Sequence, residues 1–186
     1  MKIVVPALAL LLAASACTTF VPSSRQWGTP MGVVTNVPQG KLAGTWHEIA
    51  RFPQPDTEGC IGTTLTLAQQ EDGIVQITRQ CRVPAAGETR ATVTTARQAG
   101  PGRLQFTGAA SVLPNGYWLL HLSRDGRMAV VGAPQRNAGF VLSRGAALTP
   151  AQMDVARAVL ERNNFDVAAL QMTPQRGFGQ APAWIR

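Results

Sequence analysis

The sequence predicts an all-β fold, an eight-stranded antiparallel up-and-down barrel with one C-terminal α-helix packed outside it. Three observations carry that expectation. From Gly44 onward, short runs with period-two apolar alternation recur at intervals of about ten to fifteen residues. The runs are punctuated by Asp72-Gly73, Asn115-Gly116 and Asp125-Gly126, dipeptides that accept the positive φ of tight hairpin turns. A single stretch with helix start and stop signals follows the last run.

Taken in order, the expected strands are residues 44–52, 62–70, 74–83, 89–97, 103–111, 117–123, 127–133 and 139–144. Pro84 to Gly87 and Gly100-Pro101-Gly102 supply two further short connections, so consecutive strands are antiparallel neighbours. A meander of this size removes its two exposed edges by closing on itself. A sandwich needs long crossovers, and only residues 53–61 are long enough to make one. In the helix, Thr149 is the N-cap, Pro150 takes the first position and Gln152 completes a capping box. Met153, Ala156 and Leu160, with Val159 at the margin, form the stripe that faces the barrel. Asn163-Asn164 end the helix, and Phe165, Val167 and Leu170 continue as an apolar segment.

The N-terminal part does not belong to the barrel. Lys2, the apolar run Ile3 to Leu12 and the small residues Ala14-Ser15-Ala16 read as a secretory signal too short to span a bilayer. The string AASAC resembles the lipobox of bacterial lipoproteins, with Ala14 where Leu is usual. That resemblance implies that Cys17 is diacylated and becomes the N-terminus, and Thr18 in place of Asp implies sorting to the outer membrane. Lipidation of Cys17 leaves Cys60 and Cys81, which in an oxidising compartment are a disulfide candidate. The expected organisation is a signal peptide over 1–16, an acylated tether and lead-in over 17–40, a barrel with its helix over 41–175 and a tail over 176–186.

A formal charge of +7 invites a nucleic-acid reading, but the 17 basic residues are nearly all arginines scattered singly, without a patch. Nucleic acid is therefore excluded as a partner, whereas attraction to an anionic lipid surface is compatible with the charge.

The stretch GTWHEIARF, residues 44–52, resembles the first motif of the lipocalins, Gly-x-Trp-Tyr-Glu-Ile-Ala-Arg in the bacterial outer-membrane lipocalins and the apolipoprotein D group. RDGRMAVVGAPQRNAGFVLSR, residues 124–144, and NNFDVAAL, residues 163–170, are similar to later blocks of the same group. His47 stands where Tyr is usual and Phe140 where Trp is usual. The resemblance implies that Gly44 and Trp46 form the turn and indole at the closed end of the barrel and that Arg144 lies across that indole. It also implies a lipid ligand, a fatty acid or lysophospholipid.

Alternation places the expected lining. Trp46, Glu48, Ala50 and Phe52 share one face of the first strand. On the fifth strand Leu104, Phe106 and Gly108 point inward, on the sixth Tyr117, Leu119 and His121, and on the seventh Ala129, Val131 and Ala133. A carboxylate beside Trp, Ala and Phe fits a cavity better than a solid core, since burying it unpaired costs several kcal/mol. Glu48, His121 and Tyr117 are candidates to orient a head group; alternatively, Glu48 pairs with an arginine or hydrogen-bonds within the floor. Residues 53–61 are expected to hang over the open end.

Other classes fare less well. A hydrolase needs a nucleophile with its base, and the chain has no G-x-S-x-G and only 2 histidines. His47-Glu48 lacks the second histidine of a zinc protease motif. A metal or haem site on His47, His121, Cys60 and Cys81 has no C-x-x-C spacing to support it, so neither metal nor cofactor is expected. A structural envelope lipoprotein without ligand shares the same barrel, and a homodimer is compatible with it.

Overall fold

The structure, a computed structural model, describes residues 29–37, 40–107 and 116–175. The signal peptide, Cys17 and the tether to residue 28, residues 108–111 of the expected fifth strand with Gly108, Asn115 and the tail from 176 lie outside the described residues.

The strands are β1 (Gly44–Arg51), β2 (Ile61–Gln69), β3 (Ile74–Val83), β4 (Glu88–Gln98), β5 (Arg103–Phe106), β6 (Tyr117–Leu122), β7 (Met128–Gly132) and β8 (Gly139–Ser143). They are followed by α1 (Pro150–Arg162) and a short β9 (Gln171–Met172). Every sequential pair is antiparallel, and β1 pairs with both β2 and β8, so the eight strands close into a barrel. β9 adds to the outer end of β1 through Ala50 and Met172.

Turn chemistry acts as the sequence implies. Asp72 and Gly73 both take positive φ, 57° and 71°, between β2 and β3. At the β6–β7 turn only Gly126 does, and the Asp125 carboxylate accepts instead from the Ser123 hydroxyl (2.6 Å) and the Arg127 N–H (3.1 Å). A Cβ at position 126 would run into the side chain of Lys41. Thr149 Oγ1 accepts from the Gln152 N–H at 3.3 Å while the Thr149 N–H donates to Gln152 Oε1 at 2.9 Å, the reciprocal bonds of a capping box.

Two apolar layers result. The outer one packs Met153, Ala156, Val159 and Leu160 of α1, with Phe165 and Leu170, against Leu120, Val130 and Val141 of the wall. The inner one gathers Trp46, Leu65, Ile77, Ala96, Leu119, Ala129, Phe140 and Leu142 inside the barrel. The lead-in runs along the wall: Gly32 N–H donates to Asn163 Oδ1 at 2.7 Å, and Val34 N–H donates to the Leu119 carbonyl at 2.8 Å.

Cys60 and Cys81 form a disulfide with their Cα atoms 5.4 Å apart. A register shift between Ile61 and Thr64 in the β2–β3 ladder moves Cys60 one residue closer to lying opposite Cys81. The bridge closes a loop with a sequence separation of 21. In the chain-entropy view, replacing both cysteines by serine lowers stability by about 3 kcal/mol. Urea unfolding of the double variant should show a lower midpoint; superimposable curves would contradict the assignment.

Candidate functional site: an apolar chamber and a polar plug

The barrel interior is divided in two along its axis. The half nearer the start of β1 holds a chamber of about 440 Å³. Its walls are Leu42 and Trp46, Leu65 and Leu67 of β2, Val75 and Ile77 of β3, Leu104, Tyr117 and Leu119, Ala129 and Val131 of β7, and Leu142. β2, β3, β6 and β7 contribute alternate residues, and the small side chain of Ala129 leaves room opposite the larger ones. The lining residues that are exposed, Gly40, Ala43, Gln69, Gln98 and Arg103, all stand where β1 begins and where the β2–β3 and β4–β5 hairpins turn. The chamber thus occupies the Trp46 end of the barrel, and among the described residues the aromatic layer around Tyr117 separates it from the 53–61 connection.

The other half is filled. Tyr117 stands edge-on between Phe106 and Phe140, with ring centroids 5.0 and 5.3 Å away. Beyond this aromatic layer lies Glu48, fully buried. Its carboxylate accepts from Arg51 and Arg79, each at 2.9 Å, and from the Thr173 hydroxyl at 2.9 Å. Arg79 also reaches Asp56 at 3.3 Å, and Arg51 donates to the carbonyls of Thr57 (2.9 Å) and Cys60 (3.2 Å). Two carboxylates and two guanidiniums thus pin the 53–61 connection into the barrel. A second space of about 40 Å³ between Asp56, Arg79, Phe106 and Phe140 is room for water at most. Burial pushes the Tyr117 hydroxyl well above the usual phenol range, opposed by the nearby Arg79 charge, so it stays protonated.

β-Bulges redirect several expected lining residues. The β1–β8 register shifts between Glu48 and Ala50, which makes Ile49 an extra residue and reverses the alternation beyond it. Ala50 and Phe52 consequently face outward into the layer under α1, where Phe52 meets Phe165 at 5.4 Å. Arg51 turns inward and reaches Glu48 three residues back. A second shift, between Leu119 and His121, takes His121 out of the interior. Desolvation, and then the Arg162 charge at the end of α1, hold its imidazole below the ordinary value.

Of the expected residues, Leu104, Tyr117, Leu119, Ala129 and Val131 are brought together around the chamber. Phe106 closes the plug beside them. Glu48, Ala50, Phe52 and His121 do not border it. Ala133 is buried in the inner layer without reaching the chamber. Leu65, Leu67, Val75 and Ile77 are lining residues that the same period-two alternation marks on the second and third strands.

Trp46 forms one wall of the chamber and is fixed from outside. Its indole N–H donates to the Leu42 carbonyl at 2.8 Å. The Arg144 guanidinium lies 3.7 Å from the indole ring centroid and donates to the carbonyls of Thr45 (2.8 Å), Ala43 (2.7 Å) and Lys41 (3.1 Å). Gly44 takes φ 87° beneath it. Among the described residues no group of three histidine, cysteine or acidic side chains is placed to hold a metal ion.

An antiparallel barrel closed around one apolar chamber, with a helix on its wall, defines a calyx-type protein of the kind that encloses one small molecule. The family model for the lipocalin-like domain matches residues 38–175, and the chain belongs to the lipocalin family. Lipocalins are in general non-catalytic binders of small hydrophobic molecules. The chain is similar to the outer membrane lipoprotein Blc of Escherichia coli strain K12, at 29% identity over 181 residues covering 90% of this chain and 98% of that one. Similarity to outer membrane lipoprotein Blc of Citrobacter freundii is 27% over 189 residues, covering 94% and 98%. In fold it resembles the cockroach allergen Per a 4 (TM-score 0.62, 15% identity, covering 80% of this chain and 94% of that one). It also resembles insecticyanin from the tobacco hornworm Manduca sexta (TM-score 0.60, 16% identity, covering 82% and 86%).

Proposed function

We propose that this chain is a non-catalytic carrier or store of a fatty acid or lysophospholipid at a bacterial outer membrane. In this reading, residues 1–16 are the signal peptide, the acylated Cys17 anchors the protein to the membrane, and the barrel over 41–175 faces the periplasm. The observation that carries the reading is the chamber, whose volume of about 440 Å³ falls in the range of small-molecule sites and whose wall is mostly aliphatic. Transferring ten acyl methylenes out of water gains about 8 kcal/mol at about 0.8 each, before ordering costs, which supports micromolar affinity. The names of the curated relatives, outer membrane lipoproteins, support the location.

Leu104, Tyr117, Leu119, Ala129 and Val131 are the proposed contacts of the acyl chain. Tyr117, neutral and flanked by Phe106 and Phe140, forms one end wall of the chamber. The test is to purify the protein from its own envelope, extract it with organic solvent and weigh what is released. One single-chain lipid per protein is expected, with no hydrolysis of added lysophospholipid over hours. Protein that releases no lipid, and takes none up when offered, would sink the proposal.

A further inference from the structure

We propose that Asp56 occupies, in the lipid-free protein, the place on Arg79 that the ligand's anionic head group takes, so that binding exchanges one anion for another and releases that point of the 53–61 connection. The proposal rests on the carrier reading and deepens it by assigning the head group's partner and the contact that competes with it.

The Asp56–Arg79 pair is the loosest ion pair in the plug. Arg79 meets Glu48 at 2.9 Å but Asp56 at 3.3 Å. Asp56 Oδ1 and Arg79 Nε are buried, and among the described residues neither has a hydrogen-bond partner. Each group keeps bonding capacity that the pair does not use, and a better-fitting anion on Arg79 removes that cost. The two partners also differ in access to water, since the Asp56 side chain is 31% exposed and that of Arg79 only 13%. The carboxylate can turn out to solvent; the guanidinium cannot follow it.

The charges of Glu48, Asp56, Arg51 and Arg79 cancel. With Asp56 withdrawn, one buried positive charge is left over, and it is stabilised by an incoming anion. Arg79 is placed to meet the head of a ligand whose tail fills the chamber. Its guanidinium lies 5.5 Å from the Phe140 ring centroid, on the plug side of the aromatic layer. The small space that it borders with Asp56 shares Leu65, Ile77 and Tyr117 with the chamber wall, so a turn of the Tyr117 ring joins the two. The connection need not leave as a whole: Thr57 and Cys60 stay held through Arg51, and Cys60 through its disulfide, while Asp56 precedes them. A fatty-acid carboxylate and a lysophospholipid phosphate share the chemistry that Arg79 recognises.

The test uses the purified, lipid-stripped chain. Palmitic acid, palmitoyl lysophosphatidylethanolamine and the uncharged palmityl alcohol compete with a fluorescent fatty acid. Asp56→Asn removes the internal competitor and should raise the affinity of at least one anionic probe, relative to the alcohol, by about three- to tenfold. The probe that gains more identifies the head group. Arg82→Gln, an exposed arginine outside the plug, should leave the ratio unchanged. In Arg79→Gln the substitution of Asp56 should no longer raise it, which separates exchange on Arg79 from a general change of charge. A readout that needs no variant is the NMR resonance of the wild-type Arg79 Nε–H, which should move on adding that anionic probe and far less on adding the alcohol.

An anion-to-alcohol ratio that Asp56→Asn leaves unchanged or lowers, a rise that persists when Arg79→Gln is added, or an Arg79 Nε–H resonance indifferent to the anion overturns the proposal and leaves the carrier standing. Failure of all three probes to bind the wild type overturns the carrier reading and this proposal with it.

Discussion

Replacing Glu48 by alanine lowers the free energy of unfolding by about 3–5 kcal/mol, the usual cost of removing one partner from a buried ion pair. Glu48 is fully buried, and the side chains of Arg51 and Arg79 are only 9% and 13% exposed. Without the carboxylate, two guanidiniums remain inside the barrel with their charges only partly compensated. Arg51 keeps the carbonyls of Thr57 and Cys60, and Arg79 keeps Asp56. The loss is a large share of the roughly 5–15 kcal/mol that holds an ordinary domain together.

The mechanism separates from simple loss of packing by a second variant. Replacing Glu48 by leucine together with Arg51 and Arg79 by methionine removes the charges as a set, and apolar replacements of buried ion clusters are often neutral or better. Urea unfolding should therefore place the triple variant above the Glu48→Ala protein. If the single variant unfolds at the wild-type midpoint, the carboxylate is not the keystone of the plug. Glu48→Gln, which keeps the shape, should leave fatty-acid affinity within about twofold, because the aromatic layer stands between Glu48 and the chamber.

This carboxylate also marks the limit of what the sequence discloses. Turn dipeptides and alternation locate β3 at residues 74–83 with the bounds the structure has, and Thr149, Pro150 and Gln152 place the start of α1. Those features are local: they are written in the residues that form them. A β-bulge is not, because the extra residue in β1 is Ile49, an ordinary strand residue, and the shift exists only relative to β8. Reading through it without the shift puts Phe52 inside and Arg51 outside, the reverse of what is found. The bulge after Leu119 misplaces His121 in the same way. Arg79 was within reach, since alternation puts it on the inner face with Val75 and Ile77. Which half of the barrel stays empty depends on how Phe106, Tyr117 and Phe140 from three strands meet, and no single segment carries that information.

Replacing Ala129 by phenylalanine should weaken binding of a fluorescent fatty acid by more than about 100-fold and leave the barrel folded. Ala129 is 1% exposed and its side chain forms part of the chamber wall on β7, directly opposite Leu142 in the ladder. A benzyl group there projects into empty space, so the ordinary penalty for overpacking a filled core is largely avoided. What it displaces is ligand. Excluding four acyl methylenes at about 0.8 kcal/mol each removes about 3 kcal/mol of transfer energy, slightly over two decades in affinity. The added apolar surface also replaces void with contacts, and the melting temperature of the lipid-free protein should hold or rise. A shorter probe discriminates blockage of the chamber from general damage: a fatty acid four carbons shorter should recover part of its affinity for the variant relative to the long one. Equal affinity of wild type and Ala129→Phe for the long acid would mean that the acyl chain does not occupy this chamber.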